Sequence, residues 1–312
     1  MAFNLEARQK YSLEVKERLT EQRIQQWWDH HHGEVYVSFS GGWDSNVLLH
    51  IARRLIPRMK AVFCDTGLEY PEIRDFVKTI DNADWIKPKL NFKQVIEKYG
   101  YPVISKEVSQ KIYEIRASKK EKHIRRCLYG SAKGNGKMAE KWRYLLDAPF
   151  AISHKCCEVL KKRPFKLYER MTGRKPIIGM MAEESNLRAI TYRARGCNAF
   201  SNKRPTSNPM MFWLKSDTKA YVKKYNLPYS KIYDMGYDRT GCMFCMFGAH
   251  FADDRRFKLM KETHPAQYKY CMNKLGCRGV MNYVRDHSNE DESFSLRDTE
   301  QALFDKIEKE AL

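Results

Sequence analysis

The pattern of apolar and polar positions between residues 34 and 86 predicts strands and helices in alternation. The segment 34–39 alternates apolar and polar side chains and is rich in β-formers, so we predict a strand there. Residues 46–55 repeat apolar positions with helical spacing, and 61–64 form a short apolar strand. Pro71 suits the first turn of a further helix, and residues 85–86 are a candidate third strand. This rhythm predicts βαβ units, and therefore an α/β fold with a parallel sheet flanked by helices.

The rest of the chain is predicted to be mostly helical, with two further strands. Helices are expected at 2–28, 105–145 with a flexible break at 130–137, 156–171 apart from Pro164, 217–225, 253–284 and 296–312, and strands at 176–179 and 209–213. We therefore divide the chain into an N-terminal helix (1–29), an α/β domain (30–240), and a segment with a CxxC pair followed by a helical C-terminal region (241–312).

The charge of the chain favours a polyanionic partner. Its 312 residues include 57 Lys and Arg against 38 Asp and Glu, for a formal net charge of +19. The basic residues concentrate at 106–141 and 155–174, whereas the residues after 288 are acidic, so we expect a basic face. Nucleic acid or another polyanion would bind such a face, although a basic composition alone is the alternative explanation.

The distribution of apolar residues predicts a cytoplasmic protein without a membrane partner. No run of 18 or more apolar residues occurs, so we expect no transmembrane helix. The first residues are mixed and charged, and they lack the apolar core of a signal peptide. The oligomeric state is not predictable from these features.

A glycine-containing loop follows the first predicted strand and opens the first predicted helix. It runs Ser38-Phe39-Ser40-Gly41-Gly42-Trp43-Asp44-Ser45. Glycines let backbone N–H groups approach an anion, and a helix N-terminus adds partial positive charge. In a parallel sheet the loop lies at the carboxyl end of a strand, where such folds bind ligands. The alternative is a Gly-Gly turn whose helix is capped by Asp44 or Ser45. The spacing of a Walker A loop is absent.

Four motifs in order give the chain a resemblance to a known family. Ser40-Gly41-Gly42-Trp43-Asp44-Ser45 resembles the PP-loop of N-type ATP pyrophosphatases. Asp65-Thr66-Gly67-Leu68-Glu69-Tyr70-Pro71-Glu72 is similar to the second motif of the phosphoadenylyl-sulfate (PAPS) reductase branch, and the stretch from Gly179 to Arg188 is similar to its third. Asn208-Pro209, Leu227-Pro228 and Tyr233-Asp234-Met235-Gly236 follow its carboxyl half. The resemblance covers residues 30–285 and implies the PP-loop α/β fold.

This resemblance implies a site for an adenine nucleotide, either ATP or an adenylyl-sulfate nucleotide, together with Mg²⁺. The implied nucleotide-binding residues are Ser38, Phe39, Ser40, Gly41, Gly42, Asp44, Ser45, Phe63, Asp65, Gly179, Glu184, Ser185 and Arg188. Among them Asp44, Asp65 and Arg188 are implied to be catalytic, because carboxylates suit Mg²⁺ and arginine suits developing phosphate charge. Two positions depart from the family pattern, since Trp43 stands where lysine is frequent and Met181 where arginine is frequent. Arg188, Arg193 and Arg195 are candidates to compensate.

Nine cysteines include one arrangement with metal-ligand character. Cys156-Cys157 are adjacent, and Cys242 and Cys245 form a CxxC pair. Four thiolates suit Zn²⁺ or a [4Fe–4S] cluster, and an adjacent pair is poorly shaped for a zinc knuckle. The arrangement is similar to the [4Fe–4S] set of adenylyl-sulfate reductases, which implies a cluster on these four residues. Zinc and buried structural cysteines remain as alternatives.

The other five cysteines have no metal-ligand spacing. We expect Cys64, at the end of a predicted strand, to be a core residue. A persulfide carrier or nucleophile among the remaining four is not identifiable.

The resemblance leaves three functions open. Sulfonucleotide reductases place a nucleophilic cysteine in a C-terminal Glu-Cys-Gly-x-His segment, and no cysteine follows Cys277 here. We therefore expect ATP-dependent adenylation of an acceptor, with sulfur transfer from a donor protein and a role for the cluster. The alternatives are a PAPS or adenylyl-sulfate reductase with an unconventional thiol, and a nucleic-acid-binding module without turnover.

Overall fold

The structure, a computed structural model, describes residues 4–132, 135–251 and 254–288. The helix predicted at 296–312 lies outside these residues. The described chain forms two compact units, Met1–Lys89 with Lys161–Gly241 (unit 1) and Leu90–Leu160 with Cys242–Leu312 (unit 2). This division differs from the predicted one, because residues 90–160 group with the residues that follow Gly241.

Strands and helices alternate through the described residues. The strands are β1 (Val35–Phe39), β2 (Ala61–Cys64), β3 (Ala83–Ile86), β4 (Val103–Ile104), β5 (Lys175–Ile178), β6 (Asn198–Ala199), β7 (Thr206–Ser207) and β8 (Met246–Phe247). The α-helices are α1 (Leu5–Gln9), α2 (Leu13–His30), α3 (Trp43–Leu55), α4 (Pro71–Lys78), α5 (Phe92–Tyr99), α6 (Lys106–Ala117), α7 (Glu121–Tyr129), α8 (Lys155–Cys157), α9 (Arg163–Thr172), α10 (Asn186–Arg195), α11 (Lys215–Lys224), α12 (Arg256–Thr263), α13 (Pro265–Lys269) and α14 (Cys277–Ser288). Short 3-10 helices cover Glu140–Asp147, Ala182–Glu184 and Lys231–Tyr233, and π-helical turns cover Glu158–Lys162 and Tyr270–Lys274.

Unit 1 is built on a six-stranded sheet in the order β3-β2-β1-β5-β7-β6. All neighbouring strands are parallel except β6 and β7, which are antiparallel. This confirms the predicted α/β class with a mostly parallel sheet. The chain moves outward from β1 to β2 and β3 on one side and returns to β5 on the other side of β1. The order therefore reverses between β1 and β5, the position where such sheets bind ligands.

The N-terminal residues form two helices rather than the single predicted helix. Ser12 interrupts them, because its hydroxyl accepts the N–H of Val15 and caps the start of α2. Helix α2 then packs on α3 and α11 within unit 1. The ammonium group of Lys16, which is only 1% exposed, contacts the Asp217 carboxylate of α11 at 2.5 Å. Helix α2 is thus part of the α/β unit.

The predicted strand at 209–213 is wrong. This segment is a series of turns, in which Met211 N–H donates to Asn208 C=O at 3.2 Å and Trp213 N–H to Met210 C=O at 3.0 Å. Its apolar side chains are buried, and the Trp213 indole N–H donates to Thr20 Oγ1 of α2 at 2.9 Å. A short apolar run marks burial, which strands and packed turns share.

Unit 2 is mainly helical, with one short parallel pair, β4 and β8. Helix α6 packs against α7 and against the 3-10 helix Glu140–Asp147, and α14 packs against that 3-10 helix as well. The predicted helical character of 105–145 is confirmed, and α7 ends at Tyr129, just before the predicted break at 130–137, of which residues 133 and 134 lie outside the described residues. Among the helices of the described ranges, none is long and apolar enough to cross a membrane.

Candidate functional site

The loop between β1 and α3 has the shape that the sequence predicts. Gly41 has a φ of +74°, and a Cβ at this residue would lie 2.9 Å from Ile73 Cγ2, so only glycine fits. Ser45 fixes the turn, because its Oγ accepts the N–H of Ser40 at 3.1 Å and donates to the C=O of Gly42 at 3.0 Å. Helix α3 begins at Trp43, and Gly42 before it supplies no side-chain cap, unlike the alternative weighed from the sequence. Its first turn therefore faces the space next to the loop.

A cavity of about 640 Å³ opens beside this loop, within unit 1. Its wall is formed by the loop, the end of β5, the N-terminal half of α11, and the segment from Tyr233 to Thr240. It is lined by Ser40, Gly42, Trp43, Asp44, Ser45, Ile178, Gly179, Met180, Met181, Glu183, Glu184, Arg188, Lys215, Thr218, Lys219, Tyr233, Asp238, Arg239 and Thr240. Its position at the carboxyl ends of β1 and β5 matches the reversal of strand order.

Charged groups of both signs meet in this cavity. Burial raises the pKa of Asp44. A hydrogen bond from Thr218 and the positive charges of Lys215 and Arg188 lower the pKa, but burial has the larger effect. Burial likewise lowers the pKa of Arg188, opposed by the charge of Asp44. Glu184 forms an ion pair with Arg188 one helical turn away. The wall of the cavity therefore carries side chains of both charges, some of them paired with one another.

Trp43 lines the cavity with an aromatic surface. Its ring stacks on Tyr229 with centroids 4.9 Å apart and meets the edge of Tyr233 at 5.0 Å. The Trp43 N–H donates to the Tyr233 hydroxyl at 3.0 Å, which satisfies one of the free donors at the start of α3. The residue that departs from the family pattern is thus held in place by two tyrosines.

A smaller cavity of about 140 Å³ adjoins the other side of the loop, also within unit 1. It contains the predicted site residues Ser38, Phe39 and Phe63, at the ends of β1 and β2. Cys64 also lines this cavity, and at 7% exposed it belongs to the buried core, which confirms the expectation for this residue.

Three predicted site residues, Gly41, Asp65 and Ser185, lie outside the linings of these two cavities. The Asp65 carboxylate accepts from Arg74 at 3.0 Å and from the N–H of Gly67 at 3.1 Å. The Ser185 hydroxyl accepts the N–H of Arg188 at 3.3 Å and so caps α10. Asp65 and Ser185 hold the backbone near the cavity rather than face it.

Several lining residues were not found from the sequence. Lys215 and Lys219 come from α11, and Asp238 and Thr240 from the segment after the last 3-10 helix of unit 1. These residues lie far along the chain from the loop and form no local pattern. Only the Tyr233-Asp234-Met235-Gly236 motif pointed to their neighbourhood.

The four cysteines of the predicted metal set all belong to unit 2 and form no disulfides. Cys156 and Cys157 form α8 and a π-helical turn follows, while the N–H of Cys245 donates to the C=O of Cys242 at 3.1 Å.

A single short segment pairs with the backbone next to each half of the set. Tyr101 forms a β-bridge with Ile152, four residues before Cys156, and Val103 pairs with Met246, the residue after Cys245. Residues 101–103 therefore lie beside the backbone that leads to the Cys156-Cys157 pair and beside the Cys242–Cys245 pair. No three of the four sulfurs count among ligand atoms within 4.8 Å of one another in the described chain.

Two other cysteines lie together in unit 2. Cys271 and Cys277 are both fully buried, and the pKa of Cys271 is raised by its hydrogen bond with Cys277 and by burial. Because its pKa is raised, the Cys271 thiol is a poor nucleophile.

Four similarities, to one protein family, two relatives and one solved structure, extend over most of the chain. The phosphoadenosine phosphosulfate reductase domain matches residues 34–132 and 105–247. An adenosine 5'-phosphosulfate reductase of Lysinibacillus sphaericus is 26% identical over 224 residues, which cover 72% of this chain and 78% of that protein. The corresponding protein of Anoxybacillus flavithermus is 24% identical over 230 residues, covering 73% and 80%. The crystal structure of a PAPS reductase from Candida auris in a phosphate complex aligns with a TM-score of 0.42 and 18% identity, over 75% of this chain and 96% of that one.

Proposed function

Because the chain belongs to the family of phosphoadenosine phosphosulfate reductase domains, we propose that unit 1 binds an adenine nucleotide with its phosphates on the loop Ser40–Ser45. The phosphates would occupy the 640 Å³ cavity, where the uncapped start of α3 offers N–H groups. The smaller cavity, with Phe39 and Phe63 in its wall, would take the adenine ring. Asp65 and Ser185 would support the site through Arg74 and through α10.

The nucleotide we favour is ATP with Mg²⁺, because the larger cavity is lined by both acidic and basic side chains. Its wall holds the carboxylates Asp44, Glu183, Glu184 and Asp238 and the cations Arg188, Lys215, Lys219 and Arg239. A sulfonucleotide would bring bare negative charge toward these carboxylates, which like-charge repulsion opposes. Magnesium on ATP would neutralise phosphate charge and accept carboxylate oxygens as ligands. Asp44, buried at the start of α3, is the best placed of them to contact the ion.

The reaction we propose is adenylation of an acceptor. An acceptor oxygen attacks the α-phosphorus of ATP, the bond to the β-phosphate oxygen breaks, and pyrophosphate leaves with its magnesium. Arg188 would stabilise the charge that grows on the phosphates. Sulfur from a donor would then displace AMP from the acceptor carbon or phosphorus. The formal charge of +19 supports a polyanionic acceptor such as nucleic acid.

The cysteine set supports a sulfur-related role. Cys156, Cys157, Cys242 and Cys245 would hold a [4Fe–4S] cluster, which supplies redox or sulfur-binding chemistry when bound. Anaerobic purification should yield about four iron and four sulfide per chain, and Cys242→Ser should lose both. One zinc per chain without sulfide would contradict the cluster.

The adenylation proposal is tested by exchange of labelled pyrophosphate into ATP, with tRNA, DNA or no acceptor present. Arg188→Ala should abolish exchange, whereas Arg193→Ala on the same helix should retain it, because Arg193 contacts Glu6 outside the cavity. Absence of exchange with every acceptor, in protein with an intact cluster, would refute the proposal.

A second candidate is reduction of adenosine 5'-phosphosulfate, favoured by the relatives of that name and by one thiol. Among the described cysteines, Cys64 is the one that lines either of the two cavities near the loop. Its thiolate would attack the sulfate sulfur and release AMP, and a dithiol reductant would then release sulfite and become a disulfide. Sulfite release that requires Cys64 would support this reaction over adenylation. A Cys64→Ser variant that still forms sulfite would exclude Cys64 as the nucleophile.

A further inference from the structure

Three side chains with metal-binding atoms meet on α6 and α7 of unit 2. His123 and Cys127 are one turn apart on the same face of α7, and Glu114 reaches them from α6. Cys127 Sγ lies 3.6 Å from His123 Nε2 and 3.8 Å from Glu114 Oε2. His123 Nε2 lies 3.5 Å from Glu114 Oε2. Among the described residues, this is the one group of three such atoms within 4.8 Å of one another.

These separations are the edges of a tetrahedron around a small divalent ion. With usual zinc distances to sulfur, nitrogen and oxygen, tetrahedral angles place sulfur and nitrogen about 3.6 Å apart, sulfur and oxygen about 3.6 Å, and nitrogen and oxygen about 3.4 Å. The observed separations agree with all three to within about 0.2 Å. We propose that Glu114, His123 and Cys127 form a binding site for one zinc-type divalent ion, separate from the four-cysteine set.

The chemistry of the three ligands fits such an ion. Once the ion displaces the thiol proton of Cys127, a thiolate and a carboxylate together balance two positive charges, and a neutral imidazole adds no charge. One sulfur, one nitrogen and one oxygen ligand favour zinc-type metals over Mg²⁺ and Ca²⁺, which take oxygen ligands. Cys127 is buried, whereas the side chains of His123 and Glu114 are 44% and 33% exposed. The ion therefore has a solvent-facing side for entry and for a water as fourth ligand.

The site also has a structural consequence. Only residues 118–120 separate α6 from α7, and the ion ties the two helices together at a second point. These helices carry part of the basic stretch at 106–141, including the exposed Lys120 and Lys122. The ion thus fixes the position of a basic helical hairpin. The alternative is a hydrogen-bonded trio of side chains without metal.

The test is a titration of the anaerobic full-length protein with Co²⁺, followed by competition with Zn²⁺. The wild type should bind one more equivalent than His123→Ala or Cys127→Ser, and a thiolate-to-cobalt absorption band should disappear in Cys127→Ser. Lys122→Ala, a neighbour on the same helix that is not a ligand, should bind as the wild type does. Cys242→Ser should keep the equivalent that His123→Ala loses, which separates this site from the cysteine set.

Equal metal content in the wild type and in His123→Ala would overturn the proposal. His123→Ala changes a partly exposed side chain, so it decides the question even where Cys127→Ser fails to fold. A second readout is the thermal midpoint, which Zn²⁺ should raise in the wild type and leave unchanged in His123→Ala. Neither measurement depends on nucleotide binding or turnover.

Discussion

Replacing Gly42 with alanine places one methyl group in the wall of the 640 Å³ cavity. A Cβ at this residue would lie 2.8 Å from Thr240 Oγ1 and 3.2 Å from the Tyr233 hydroxyl. The φ of −85° is open to alanine, so the strain is confined to these contacts. Thr240 can rotate away, but Tyr233 must shift, and its hydroxyl accepts the N–H of Trp43 at 3.0 Å. The substitution therefore disturbs the start of α3 where we propose that phosphate binds.

We expect Gly42→Ala to change the free energy of unfolding less than it changes the free energy of Mg-ATP binding. Loss of the hydrogen bond from Trp43 costs about 1 kcal/mol, and alanine at a compatible backbone position returns about 0.4–1 kcal/mol through the unfolded chain. The free energy of unfolding should therefore change by less than about 1 kcal/mol. Loss of one charge-assisted hydrogen bond from the loop to phosphate costs about 1.5–3 kcal/mol. The dissociation constant of Mg-ATP should rise roughly tenfold to a hundredfold.

Calorimetric titration with Mg-ATP measures the affinity, and urea denaturation measures the stability. Gly279→Ala is the matched control, because Gly279 lies on α14 of unit 2 and a Cβ there meets no atom within 4 Å. This control should gain about 0.5–1 kcal/mol of stability and keep wild-type affinity. A folded Gly42→Ala protein that binds Mg-ATP as tightly as the wild type would refute the assignment of this loop to the phosphates.

Three further variants or measurements probe unit 1. Lys16→Met should lower the free energy of unfolding by about 3 kcal/mol, because it leaves Asp217 without its buried partner; urea denaturation with a loss under about 1 kcal/mol would contradict this. Burial raises the pKa of Asp44, so the folded state holds that proton more tightly than the unfolded state, and stability falls as pH rises between the two pKa values. In urea denaturation between about pH 4 and 8, Asp44→Asn should show a flatter fall of stability with pH and a higher stability at neutral pH. The variant should also lose Mg-dependent ATP binding. An unchanged pH profile would contradict the role of Asp44. Burial raises the pKa of Cys197 to about 12, so this thiol should resist alkylation at about pH 8 until urea unfolds the protein, and fast native labelling seen by mass spectrometry would show the opposite.

The features predicted best from the sequence are those that a short stretch of neighbouring residues determines. A β-rich segment, a glycine pair and a helical repeat between residues 34 and 55 fix β1, the loop and α3 through local conformation alone. The predicted strand 61–64 matches β2, and Pro71 is the first residue of α4. The start of α3 was placed three residues too late, because the N-terminal turn of a helix carries polar residues and shows no apolar repeat.

Tertiary packing decides what the sequence did not predict. The apolar run at 209–213 is buried by α2 and needs no sheet partner, so its composition resembles that of a strand. The pair β4 and β8 joins residues more than a hundred positions apart, and each strand has only two residues. No local pattern marks such short pairings.

At Trp43 and Met181, the sequence motifs alone do not predict the positive charge of the cavity. The motif predicts a loss of two cations, and Arg188, Arg193 and Arg195 were the candidates to replace them. Of these three, Arg188 lines the cavity, whereas Arg193 contacts Glu6 on α1.

The cations that restore the balance come from elsewhere in the fold. Lys215 and Lys219 reach the cavity from α11, and Arg239 reaches it from the segment after the Lys231–Tyr233 turn. Since a phosphate responds to the summed field of all nearby groups, their position in the chain matters less than their distance. Beside the aromatic ring of Trp43, the cavity therefore keeps four cations among its four carboxylates, a lining consistent with the Mg-ATP that we propose for it.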